Sequence, residues 1–181
     1  MEIVRTFDIP KNNLLSIKYD GDEEDALSLL YDQWTSNEYL RDFFKRFQRD
    51  YQIKYGKCIL KRVVREAKDY ANELFDVLYD AASQEENATL EKLFQPLDNR
   101  EKGQKSYEKQ SLKGKGEERK SYLRIYAIRY RSMIIVTGGA IKLTDRMEYR
   151  KHTNDELKKL KLVKGFLEKD NPELNFGYLD I

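Results

Sequence analysis

The sequence predicts a single α+β domain over residues 1–181, and three observations predict it. Two short β-prone runs open the chain, apolar residues at helical spacing fill its middle, and two strong strand runs return before a last helix. Apolar residues make up 40% of the chain, charged residues 36% and aromatic residues 12%. Disordered chains are poor in aromatics, so this composition belongs to a folded, highly charged globule.

Ile3–Ile9 (IVRTFDI) and Leu14–Tyr19 (LLSIKY) flank Pro10 and Asn12-Asn13, which reads as two strands in a hairpin. The acidic stretch GDEED then opens a helix, where acidic groups face the positive end of the macrodipole, with Ala26, Leu27, Leu30 and Trp34 at helical spacing. Thr35-Ser36-Asn37-Glu38 is a capping-box pattern that starts a second helix, its apolar face running from Tyr39 to Tyr51. A longer helix is expected from about Lys57 to Ala82, carrying a continuous apolar stripe from Leu60 to Ala81 that reads as core. Its basic start and acidic end oppose the macrodipole, a small surface cost unless the start faces an anion. A short helix, Ala88–Phe94, stops before Pro96. Residues 98–120 have no apolar period and three glycines, so they read as a mobile basic loop.

The final unit, 122–169, is expected to be a hairpin, a Gly-Gly bend and a capped helix. Tyr122–Tyr130 (YLRIYAIRY) and Met133–Thr137 (MIIVT) are strands joined by Arg131-Ser132, hence antiparallel. Gly138-Gly139 suggests a bulge or a close backbone approach, and Ala140–Leu143 continues the strand. Thr153-Asn154-Asp155-Glu156 is a second capping box. By alternation Leu123, Ile125 and Ala127 face a core, while Tyr122, Arg124, Tyr126, Ile128 and Tyr130 face the other way. That second face suits bases and phosphate through stacking and a guanidinium; it equally suits packing beneath a helix. A two-residue loop sets Arg124 opposite Gly139 with Lys142 facing away, and a one-residue bulge turns Lys142 onto the Arg124 side.

One cysteine, Cys58, and one histidine, His152, exclude a disulfide framework and a Cys- or His-based metal centre. No segment approaches the ~20 apolar residues that span a bilayer, and MEIVRTFDIP lacks a signal-peptide pattern, so the expected address is cytoplasmic with no membrane partner. The net charge of +2 is uneven: residues 1–50 hold seven Lys/Arg against eleven Asp/Glu, and residues 100–131 hold eleven against four. Such asymmetry suits a polyanionic partner, or simply a soluble surface.

The segments LRIYAIRY, MIIVTGGAIKLTDRM and HTNDELKKL resemble the RelE/ParE superfamily of toxins from toxin–antitoxin systems, in its HigB-like and phage-derived branches. The similarity covers roughly residues 89–169. The resemblance implies a small twisted antiparallel sheet packed against helices, here RelE-like with extra N-terminal helices. It also implies a metal-independent endoribonuclease without a cofactor, acting on mRNA (commonly on the ribosome) and held by a cognate antitoxin. In that frame Arg124 and Lys142 stabilise the phosphate, and Tyr126 and His152 stand where a general acid or base acts as the RNA 2′-OH attacks. Lys113, Lys115, Arg119 and Lys120 of the loop, with Tyr122 and Arg129, would hold RNA. The alternatives are a non-catalytic RNA- or protein-binding module of the same fold and a phage-type interaction protein.

Overall fold

In a computed structural model the described residues are 1–7, 13–83, 88–96, 122–130, 132–170 and 177–180. The expected basic loop, with Lys113, Lys115, Arg119 and Lys120, lies outside them.

The chain is α+β. In order it forms β1 (Glu2–Arg5), β2 (Leu14–Lys18), α1 (Ala26–Thr35), α2 (Asn37–Arg46), α3 (Gln48–Tyr55), α4 (Leu60–Ser83), α5 (Ala88–Leu93), β3 (Gln95–Pro96), β4 (Leu123–Tyr130), β5 (Met133–Ile141), a 3-10 turn (Met147–Tyr149), α6 (Lys151–Asp170) and β6 (Gly177–Asp180). The body of the sheet is β1-β2-β5-β4, extended by the short β6 and β3.

The opening hairpin is antiparallel, from Glu2 opposite Lys18 to Arg5 opposite Leu15. The sheet is nevertheless mixed, because β2 runs parallel to β5 through Leu14–Ile134, Leu15–Ile135 and Ser16–Val136. Helices α1–α5 lie between β2 and β5 in sequence, and a long connection is what lets two neighbouring strands run the same way. This corrects the expectation of a wholly antiparallel sheet.

Helix starts follow side-chain oxygens. Asp25 caps α1 by accepting from the N–H groups of Leu27 and Ser28, and buried Ser16 of β2 accepts from Leu27 N–H at 3.0 Å, which ties the helix start to the sheet. Ser36 caps α2 through Tyr39 N–H. The expected second helix breaks at Phe47, whose ψ of 26° is not helical, so α2 and α3 are separate. Thr153 is not a cap: α6 already begins at Lys151, and the Thr153 hydroxyl donates to the carbonyls of Met147 and Arg150. That back-bonding fastens the 3-10 turn beneath the first turn of α6.

Both sheet faces are covered. One carries α1, α2, α4 and α5, with Trp34, Phe44, Ala67, Leu74 and Leu78 packed on Leu123, Ile125, Ala127, Ile134 and Val136. The other carries α6, with Leu160, Val163 and Leu167 packed on Tyr126, Ile128, Ile135 and Ala140. Each large apolar side chain so buried contributes about 1.5–3 kcal/mol. No helix among the described residues is long and apolar enough to cross a membrane.

Candidate functional site

The hairpin β4–β5 closes through Tyr130 opposite Met133, so its connection is two residues long. From there the register runs to Ala127 opposite Val136 and resumes at Tyr126 opposite Gly138, leaving Thr137 as the extra residue of a β-bulge. Thr137 is held from both sides: its hydroxyl donates to the Tyr126 carbonyl at 3.2 Å, and the Tyr19 hydroxyl donates to its carbonyl at 2.6 Å. Gly138 follows at φ 154°, a conformation open to glycine. Because of the bulge, Arg124 stands opposite Ala140 instead of Gly139, and Lys142 follows Ile141, the last residue of β5.

Arg124, Lys142 and His152 belong to the same end of the sheet, where β4 begins and β5 ends. Lys142 N–H donates to the Tyr122 carbonyl at 2.7 Å, and Leu123 pairs with Ile141. The His152 ring lies 3.0 Å from the Ile141 carbonyl through Nε2; a carbonyl only accepts, so Nε2 carries the proton. Burial pushes the His152 pKa down, which keeps the ring neutral at pH 7, and Phe43 and Phe47 pack against it. Arg124 is half-buried; its guanidinium donates to the Leu123 carbonyl at 3.2 Å. Burial raises the Tyr55 phenol, and the positive charge of Arg124 opposes that rise.

Helix α3 closes this end. Arg150 donates from Nε and Nη2 to the two oxygens of Asp50, both at 2.6 Å, and these bonds hold the Asp50 carboxyl below its usual range. Lys54 reaches Asp145 at 3.6 Å. Two cations at this end are thus paired with carboxylates, Arg150 with Asp50 and Lys54 with Asp145. Nothing local in the sequence announces the Asp50–Arg150 fork, since its partners stand 100 residues apart.

The structure separates other expected site residues. Tyr126 is 0% exposed beneath α6, so it offers no ring face for a base and no hydroxyl at an open site. Of the two uses that strand face suits, packing beneath a helix is the one found, with α6 over Tyr126 and Ile128. Tyr122 is 2% exposed and turns to the opposite core, ringed by Phe44, Tyr51, Tyr55 and Tyr70 at centroid distances of 5.6–6.5 Å. It precedes the first residue of β4, so strand alternation does not govern it, and burial drives its pKa far above the ordinary phenol value. Arg129 pairs with Ile134 near the hairpin turn, five residues from Arg124 and about 16 Å along the strand.

One charged residue was unforeseen. Glu156 of α6 is 6% exposed and lies against Gly138, with one oxygen 2.8 Å from Lys159 Nζ and the carboxylate beside the Gly139 backbone. Burial raises its pKa more than Lys159 lowers it. Its place in the Thr153–Glu156 pattern suggested a capping role; only its contact with the bulge reveals a buried acid. The chain matches no protein-family model, no curated protein and no solved structure.

Proposed function

We propose that this chain is a non-catalytic RNA-binding module whose contact surface is the basic end of β4 and β5. What supports the reading is the register at that end, where two cations stand close in the strand ladder: the bulge sets Arg124 opposite Ala140, and Lys142 follows Ile141, the partner of Leu123. The segment feeding β4 adds to it, since residues 100–122 carry eight Lys/Arg against four Asp/Glu. Fixed cations neutralise phosphates, so affinity should fall steeply with salt. The absence of catalysis is supported by two features. Tyr126 is enclosed, and His152 is neutral with its Nε2 proton committed to Ile141. Anisotropy of a labelled single-stranded RNA, titrated at several salt concentrations, tests this. A salt-dependent affinity that weakens in Arg124→Ala/Lys142→Ala is expected; salt-independent or absent binding overturns the reading.

A second reading is the metal-independent endoribonuclease of the RelE/ParE-like type, held by an antitoxin. What favours it is the same pairing of two cations, which would stabilise a charge-loaded phosphorane. RNA incubated with the protein in EDTA decides between them. Cleavage that disappears in the double variant supports the nuclease, and intact RNA that is nonetheless bound supports the binding module.

A further inference from the structure

Away from the basic end, β1, the start of α1 and the later turns of α4 enclose an open cleft of about 590 Å³. Its size lies within the usual range for ligand pockets, roughly 300–1,000 Å³. Two kinds of group line it. Phe7, Tyr31 and Tyr79 supply ring faces and edges, and Tyr31 and Tyr79 remain 46% and 49% exposed. Their orientation is fixed by edge-on contacts, Phe7 against Tyr79 at 5.5 Å and Tyr31 against buried Phe75 at 5.1 Å. Large exposed aromatics held rigid beside a cavity mark a recognition surface.

The second kind is acidic. Glu24, Asp32 and Asp76 line the cleft, together with Asp25, which is engaged in capping α1. One cation, Arg5, lines it as well, so the walls are net negative. Asp32 beside Glu24 raises the Glu24 carboxyl above its usual range, the mark of two acids sharing one space. Among the described residues no three His, Cys, Asp or Glu side chains converge closely enough to hold a metal ion. The chemistry that meets both walls is a delocalised organic cation, which stacks on a tyrosine face and gives forked donors to carboxylates. Arginine matches this better than lysine, because its guanidinium is planar and weakly hydrated. The cleft opens at the end of β1, beside Arg5, Thr6 and Phe7.

We infer that this cleft is a docking site for an arginine side chain of a partner peptide, stacked on Tyr31 or Tyr79 and paired with Asp32 and Asp76. The site is independent of the RNA reading, since its charge repels phosphate.

The test uses the whole chain and a dye-labelled, end-blocked pentapeptide, Gly-Ser-Arg-Gly-Ser, with a glutamine version and free spermidine as comparisons. Anisotropy is expected to show binding of the arginine peptide and at least about tenfold weaker binding of the glutamine peptide. Asp32→Asn/Asp76→Asn should weaken the arginine peptide about tenfold while circular dichroism stays unchanged, because both carboxylates are exposed. Tyr31→Ala should weaken it as well, whereas Arg124→Ala/Lys142→Ala should not. Equal binding of the two peptides, no binding of either, or an unaffected carboxylate variant overturns the proposal. Spermidine binding more tightly than the arginine peptide also overturns it, in favour of a free polyamine.

Discussion

Gly139→Ala isolates a close approach of β4 and β5 backbones. A Cβ built at Gly139 stands 2.5 Å from the Arg124 carbonyl oxygen and 2.8 Å from Leu30 Cδ1. Real Cβ atoms essentially never lie within 3.0 Å of such neighbours, so β4 and β5 must part locally by several tenths of an ångström. The Leu30 methyl has little room to yield, because Leu30 is itself buried in the core. The φ of Gly139 lies outside the left-handed region, so the penalty is steric and carries no added backbone strain. Overpacking of this kind costs about 1–3 kcal/mol. Against it stands the entropic gain of replacing glycine, about 0.4–1 kcal/mol. Because one clash is with backbone, which cannot swing aside, the upper half of that range applies; the net loss is about 1–2.5 kcal/mol, and the melting temperature falls by roughly 2–10 °C for a chain of this size. Gly165→Ala in α6 is the internal control. A Cβ there meets nothing within 4 Å, so the same substitution should stabilise by about 0.5–1 kcal/mol. Urea unfolding followed by circular dichroism reads both variants. Gly139→Ala as stable as the parent chain would refute the argument, as would equal signs for the two substitutions.

Glu156→Gln tests the buried acid. Its folded pKa is raised, so its contribution is fully present below the unfolded value of 4.5 and is lost as pH rises through the folded value. The variant should therefore gain stability relative to the parent as pH climbs above 4.5, and a constant difference from pH 4 to 8 would contradict this. Asp50→Asn has the opposite sign. Arg150 lowers the Asp50 pKa, so the parent should exceed the variant in stability at neutral pH and lose that margin as pH falls below 3.8. A margin that persists at pH 2 in acid titration would exclude the ion pair as its source. Asp25→Ala removes the cap of α1, at a cost of about 1 kcal/mol that thermal melts should register. An unchanged melting temperature would mean that Ser16 alone satisfies the helix start.

The local elements were largely legible in the chain. β-prone runs marked β1, β2, β4 and β5, period-3.6 stripes marked α1 and α4, and the Thr35–Glu38 capping pattern marked the start of α2, whose cap is Ser36. These signals are local, carried by neighbouring side chains and by backbone groups needing a partner within a few residues. Thr153 shows their limit, for a capping pattern inside a helix became a back-bond once the 3-10 turn arrived beneath it.

The glycine pair behaved likewise. Gly138-Gly139 announced a bulge or a close approach, and both occur there, with the extra residue at Thr137 and close contacts to Glu156, Leu30 and Arg124. The charge asymmetry and the fold class also came from the sequence by itself. Tertiary structure alone decided three things: that β2 runs parallel to β5, that α6 buries the tyrosine face, and that Asp50 meets Arg150. Alternation assigns a side chain to one face of a strand but cannot say whether that face meets water or a helix. That choice depends on where a segment tens of residues away finds apolar surface to cover, and it is made only when the whole chain packs.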